Sequence, residues 1–119
     1  MTQKETLKNM KAENNILYYT EDYISGKLIE KNGQLTISDY KKATLSQADV
    51  SHLVNLLGQY NDQLRHRCLS VYRDAVIIEG VVYNICLSCG DFWKDNEKHY
   101  LVNEEEIIEL LSKYKKSAK

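Results

Sequence analysis

Two runs of strand-forming residues, Ala75-Val76-Ile77-Ile78 and Val81-Val82-Tyr83-Asn84-Ile85-Cys86-Leu87, stand on either side of Glu79-Gly80. A two-residue link containing Gly between such runs is the signature of a tight antiparallel hairpin. Both arms are almost continuously apolar, which calls for central strands covered on at least one face. In the second arm, alternation puts Val81, Tyr83, Ile85 and Leu87 on one face and Val82, Asn84 and Cys86 on the other. A sheet must form around this hairpin, and other elements must close over it.

Helical patterns supply those elements. Ser46-Gln47-Ala48-Asp49 has the form of a capping box, and Val50, Leu53, Val54, Leu57 and Tyr60 follow at helical spacing, predicting a helix over 46–60. Asn103 with Glu106 repeats the capping pattern. Ile107, Ile108, Leu110, Leu111 and Tyr114 then predict a helix over 104–115, with Lys113, Lys115 and Lys116 at its negative end. Before the first helix, Asn32-Gly33 between Lys27–Glu30 and Gln34–Ser38 predicts a hairpin within a small antiparallel meander over 16–45. Residues 1–14 read as a frayed helical N-terminus. Asp95–Lys98 reads as a turn and Tyr100–Val102 as a short strand. The predicted class is α+β: an antiparallel sheet of about five or six strands with helices 46–60 and 104–115 packed on it, in a single domain spanning 1–119.

Composition narrows the function. A net charge of −1 gives no global field to draw nucleic acid or an anionic membrane. No apolar run approaches the ~18 residues of a membrane span. The opening Met1-Thr2-Gln3-Lys4-Glu5 lacks the apolar core of a secretory signal, so the expected compartment is the cytoplasm. Nine tyrosines accompany a single Phe and a single Trp. They can fill strand faces at the edge of the core, or they can form a tyrosine-rich binding face.

The chemistry-bearing motif is Cys86-Leu87-Ser88-Cys89-Gly90, a CxxC at the end of the second hairpin arm. Two intervening residues let both thiolates converge on a metal when the chain turns sharply, and Gly90 relieves that turn. No second CxxC exists. Cys68 and His66 lie two residues apart just before the hairpin, and with Cys86 and Cys89 they would complete a tetrahedral zinc site; His99 is the alternative fourth ligand. Buried thiols acting as small hydrophobes are an equal alternative. A redox pair at Cys86 and Cys89 is a third, weakened by the strand-end position and by Asp91, whose charge disfavours a thiolate. Arg65, His66 and Arg67 form a small basic cluster that a solvated loop explains. Phosphate-cradling glycine loops, nucleophile elbows and HExxH patterns are absent from the sequence, so an enzyme is not indicated.

From Leu45 to Cys89 the chain resembles small bacterial proteins of uncharacterised function. The resemblance rests on the helix opening Leu45-Ser46-Gln47-Ala48-Asp49, the lone Cys68, the hairpin arm Arg73-Asp74-Ala75-Val76-Ile77-Ile78 and the ending Ile85-Cys86-Leu87-Ser88-Cys89. That pattern usually carries Pro-Arg-His before the first arm, where this chain has Tyr72-Arg73-Asp74, so Asp74 takes the place of the His as ligand or acceptor. The resemblance implies that the three cysteines act as a unit and supplies no activity. By elimination the expected function is a non-catalytic, cytoplasmic protein-binding domain, such as an immunity or inhibitor protein directed at a toxin or effector. A thiol–disulfide oxidoreductase or redox sensor using Cys86 and Cys89 is the alternative, and zinc-dependent nucleic-acid binding a weaker third.

Overall fold

The computed structural model describes residues 11–21, 26–64 and 71–117. One open sheet has the order β2-β1-β3-β4-β5-β6, built from β1 (Ile16–Tyr19), β2 (Lys41–Thr44), β3 (Asp74–Ile78), β4 (Val81–Cys86), β5 (Asp91–Lys94) and β6 (Glu97–Tyr100). Every neighbouring pair is antiparallel. Helices α1 (Gln47–Leu57) and α2 (Glu104–Ser117) complete the predicted α+β class, with a short 3-10 turn at Asp62–Leu64. Among the described residues no helix is long and apolar enough to cross a membrane.

The β3–β4 hairpin forms as its sequence dictates. Glu79 and Gly80 both take positive φ, 51° and 79°, the left-handed pair whose twist matches that of the flanking strands. Alternation then divides the sheet. Leu17, Tyr19, Val76, Ile78, Tyr83, Ile85 and Phe92 face the helices, where Val50, Leu53, Leu56 and Leu57 of α1 and Ile107, Leu110 and Leu111 of α2 cover them. The other face carries Tyr18, Ala75, Ile77 and Val82.

No helix among the described elements covers that second face; an arm of chain does. The predicted meander over 16–45 is replaced by direct pairing of β1 with β2, from Ile16↔Thr44 to Tyr19↔Lys41. The turn at Asn32-Gly33 does form, with Glu30 N donating to Gln34 O at 2.8 Å and Ile29 bridging to Leu35. Its hairpin lies over the sheet instead of within it, burying Leu28, Ile29 and Leu35 against Tyr18, Ala75, Ile77 and Val82. The physical reason is Asn84, 1% exposed on the same face of β4. Its Oδ1 accepts from the N–H groups of Leu28 and Ile29, each at 2.9 Å, and its Nδ2 donates to Ile29 O at 2.8 Å. Residues 11–14 are not helical. Ala12 N donates to Gly33 O at 2.8 Å and Asn14 bridges to Ile77, so this stretch runs along the arm and sheet; residues 1–10 lie outside the described residues.

The helix boundaries shift for local reasons. Ser46 caps α1, its Oγ accepting from Asp49 N at 3.2 Å. The helix stops at Leu57, and Tyr60, expected on its apolar stripe, instead bridges to Leu101. The Asn103 side chain does not cap α2 through its oxygen; its amide donates to Leu56 O at 3.1 Å and ties the end of α1 to the start of α2. Strand β6 begins at Glu97, inside the predicted turn, because Asp95 alone takes φ 51° and its Oδ1 accepts from Val82 N at 3.0 Å.

The two helices are also joined at Asp49. Lys113 Nζ lies 2.8 Å from Asp49 Oδ2, and the Tyr114 hydroxyl donates to the same oxygen. The Lys113 and Tyr114 hydrogen bonds lower the Asp49 pKa from 3.8 to about 2. A depressed acid contributes stability above its unfolded value and loses it as the pH falls through its folded value. Wild type should therefore lose stability between pH 3.8 and about 2 more steeply than Asp49→Asn in urea titrations across that window. Equal slopes would contradict the helix–helix link.

Candidate functional site

One end of the sheet gathers charge. Register places Tyr19 beside both Lys41 and Asp74, and Asp74 beside Ile85, so the end of β1 and the starts of β2 and β3 lie together. The turn after β4 and the last turns of α2 arrive at the same end, and between them opens a cleft of about 380 Å³. Asp74 shares its face of β3 with Val76 and Ile78, so a carboxylate points where an apolar strand would place a core side chain. It is 4% exposed, and its Oδ1 meets Lys115 Nζ at 2.6 Å. Lys115 follows the helix rule that cations favour the C-terminal turn, and its ammonium sits over the Tyr19 ring, 5.6 Å from the centroid. The Tyr19 hydroxyl is buried and has no hydrogen-bond partner among the described residues. Burial pushes the Asp74 carboxyl above its ordinary value, and the Lys115 charge offsets only part of that rise.

The CxxC turn forms one wall of this cleft through Leu87 and Ser88. Gly90 takes φ 74° and its N–H donates to Cys86 O at 2.9 Å, closing the turn that the motif requires. Cys86 ends β4 as a fully buried free thiol, its Sγ 3.5 Å from Ser88 Oγ. Cys89 is disulfide-bonded, so the two cysteines of the motif are not joined to each other. A sulfur in a disulfide has no thiolate to offer, and zinc ligation by Cys89 requires its reduction. His66 and Cys68, with Arg65 and Arg67, lie outside the described residues.

His99, the alternative fourth ligand, stands at the far edge of the sheet on β6. Its Nδ1 is 2.9 Å from Asp62 Oδ2, and Nε2 is 3.4 Å from Glu97 Oε2. Tyr60 stacks on the imidazole with ring centroids 3.8 Å apart, and Phe92 packs beside it at 5.5 Å. The pairing fixes the 3-10 turn against β6 as Asn61 N donates to Tyr100 O at 3.0 Å. This explains why Tyr60 leaves the helix. Among the described residues no group of three His, Cys, Asp or Glu side chains is placed to hold a metal ion.

Sequence reasoning reached this cleft through the Arg73-Asp74 start of the first hairpin arm and through Leu87-Ser88 of the CxxC turn. The signal available was Asp74 itself, an acid opening an otherwise apolar strand. The partner Lys115 is legible only as a helix-end cation. Of the tyrosines, Tyr18, Tyr19, Tyr72 and Tyr83 are buried, and Tyr60 is the large exposed aromatic among the described residues. They mainly fill the core edge: Tyr72, for example, accepts from Trp93 Nε1 at 2.9 Å. Comparison with protein-family models, with curated proteins and with solved structures gives no match.

The Asp74–Lys115 pair makes a testable demand. Removing one partner of a buried pair leaves the other charge uncompensated, while removing both need not cost much. Lys115→Gln should cost about 1–3 kcal/mol at neutral pH, below the ~3–5 kcal/mol of fully buried pairs because Lys115 is partly exposed. Adding Asp74→Asn should recover most of that loss. Chemical denaturation of the two single variants and the double variant checks this; a double variant no better than Lys115→Gln would contradict it.

Proposed function

We propose that this chain is a non-catalytic protein-binding domain, acting in the manner of an inhibitor or immunity protein, with its cysteines in a structural role. The observation that carries this is how the reactive side chains are engaged. Asp74 is tied to Lys115, the His99 imidazole is held by Asp62 beneath Tyr60, and Cys86 is sealed in the sheet. The Asp74 and His99 pairs each hold two elements together, and the cleft that Asp74 borders offers fixed charge rather than a paired nucleophile and base. The partner is a protein, and with a net charge of −1 no nucleic acid is expected.

Cytoplasmic residence in a bacterium belongs to the same proposal, and the state of Cys89 bears on it. A disulfide persists in an oxidising compartment, whereas a reducing one would open it and leave Cys89 free beside the Cys86 thiol, as a structural zinc held by Cys68, Cys86, Cys89 and His66 requires. Thiol–disulfide exchange has one observation in its favour: a free thiol at Cys86 lies three residues from a disulfide-bonded Cys89. Attack by the Cys86 thiolate on the Cys89 sulfur would form a Cys86–Cys89 bond and release the sulfur now bonded to Cys89, with no external oxidant. The full burial of Cys86 works against it.

Affinity capture followed by reconstitution from purified components should give a stoichiometric complex with one identified protein. Turnover of a substrate by the isolated chain would overturn the proposal. Alkylation in denaturant without reductant, read by mass spectrometry, should label Cys86 and leave Cys89 unlabelled. Labelling at both, together with bound zinc by elemental analysis, would move the structural role from the disulfide to the metal.

A further inference from the structure

Three cations and two carboxylates line the cleft at the Tyr19 end of the sheet, a surplus of one positive charge. One cation, Lys115, is committed to the buried Asp74 at 2.6 Å. The other two, Lys41 and Arg73, are exposed and form no ion pair with a carboxylate among the described residues. The buried Tyr19 hydroxyl on the same wall has no hydrogen-bond partner among the described residues. Leu87 and Val71 supply apolar surface beside these groups.

From this arrangement we infer that the cleft is a carboxylate-binding site, taking one acidic side chain of a protein partner with an apolar neighbour beside it. This deepens the protein-binding proposal and rests on it. Arg73, just before β3, carries a planar fork that matches a carboxylate, and Lys41 adds a second charge from β2, on the other side of β1. The apolar neighbour packs on Leu87 and Val71. Asp74 and Glu21, on the same lining, set the ligand's charge. With Asp74 paired to Lys115 and Glu21 offsetting one of the two remaining cations, the lining is left with a single positive charge, which one carboxylate neutralises. The Asp74–Lys115 pair neutralises the floor and leaves the surplus at Arg73 and Lys41.

Two-dimensional amide NMR of the full chain tests this with three probes: N-acetyl-Leu-Glu-Leu-amide, the same peptide with Gln for Glu, and inorganic phosphate. The Glu peptide should shift the amides of Thr20, Lys41, Asp74 and Ser88 in a saturable way, and leave those of Phe92 and His99 at the far edge in place. The Gln peptide should bind about tenfold more weakly, and Arg73→Gln or Lys41→Gln should weaken the Glu peptide by a similar factor. No shift up to about 20 mM peptide, or equal shifts from Glu and Gln peptides, would overturn the site. Stronger binding of phosphate at the same amides would overturn the assignment to a carboxylate. A reconstituted partner complex that survives Arg73→Gln would remove the cleft from the interface while leaving the protein-binding proposal intact. Peptide binding with no partner complex would do the reverse.

Discussion

Three main-chain groups of the arm, the N–H of Leu28, the N–H of Ile29 and the carbonyl of Ile29, find their partners in one side chain, Asn84. An apolar residue at that position would bury more hydrocarbon and leave all three unpaired. Each unpaired buried group costs about 1–3 kcal/mol, so three together amount to a large share of the ~5–15 kcal/mol that holds a domain of this size. The amide of Asn84 suits the task because it both accepts and donates, with two acceptor sites on the oxygen. The contact sets the position of the arm, and the arm closes the face that the helices leave open.

That closure reaches the cleft. The arm links β1 to β2, leaving the sheet after Tyr19 and returning to it at Lys41, and both residues line the site. Lys27 on the arm lies over the Trp93 ring at 4.1 Å, which fixes a second point of the arm against β5. On the opposite face α2 delivers Lys115 to Asp74, and Asn103 and Asp49 hold α2 to α1. The charged end of the sheet is thus positioned from both faces at once. A buried acid at the start of β3 is unfavourable for folding by itself, and Lys115 offsets only part of that cost.

What the sequence made legible was whatever depends on neighbours in the chain. The β3–β4 hairpin, the two faces of β4, the Ser46 cap and both helices follow from turn chemistry and periodicity. The destination of the Asn32-Gly33 hairpin did not, because turn residues specify that a hairpin forms and not the surface on which it docks. Asn84 decided that, through partners far away in sequence. Tyr60 misled for a related reason: its spacing suits a helix, but stacking on His99 and pairing with Leu101 outweigh one more helical turn. In the candidate site, Gly90 and the sharp turn of the CxxC were legible locally. The separate states of Cys86 and Cys89, and the union of Asp74 with Lys115, are products of the tertiary fold.

Native-state hydrogen exchange at the amides of Leu28 and Ile29 bears most directly on the role of Asn84. In wild type both should exchange as slowly as the core amides of β3 and β4, and in Asn84→Ala both should become fast while the strand amides keep much of their protection. Exchange of Leu28 and Ile29 at the rate of exposed loop residues in wild type would show that Asn84 does not hold the arm. The arm would then owe its position over the sheet, and Lys41 its place at the cleft, to contacts other than Asn84.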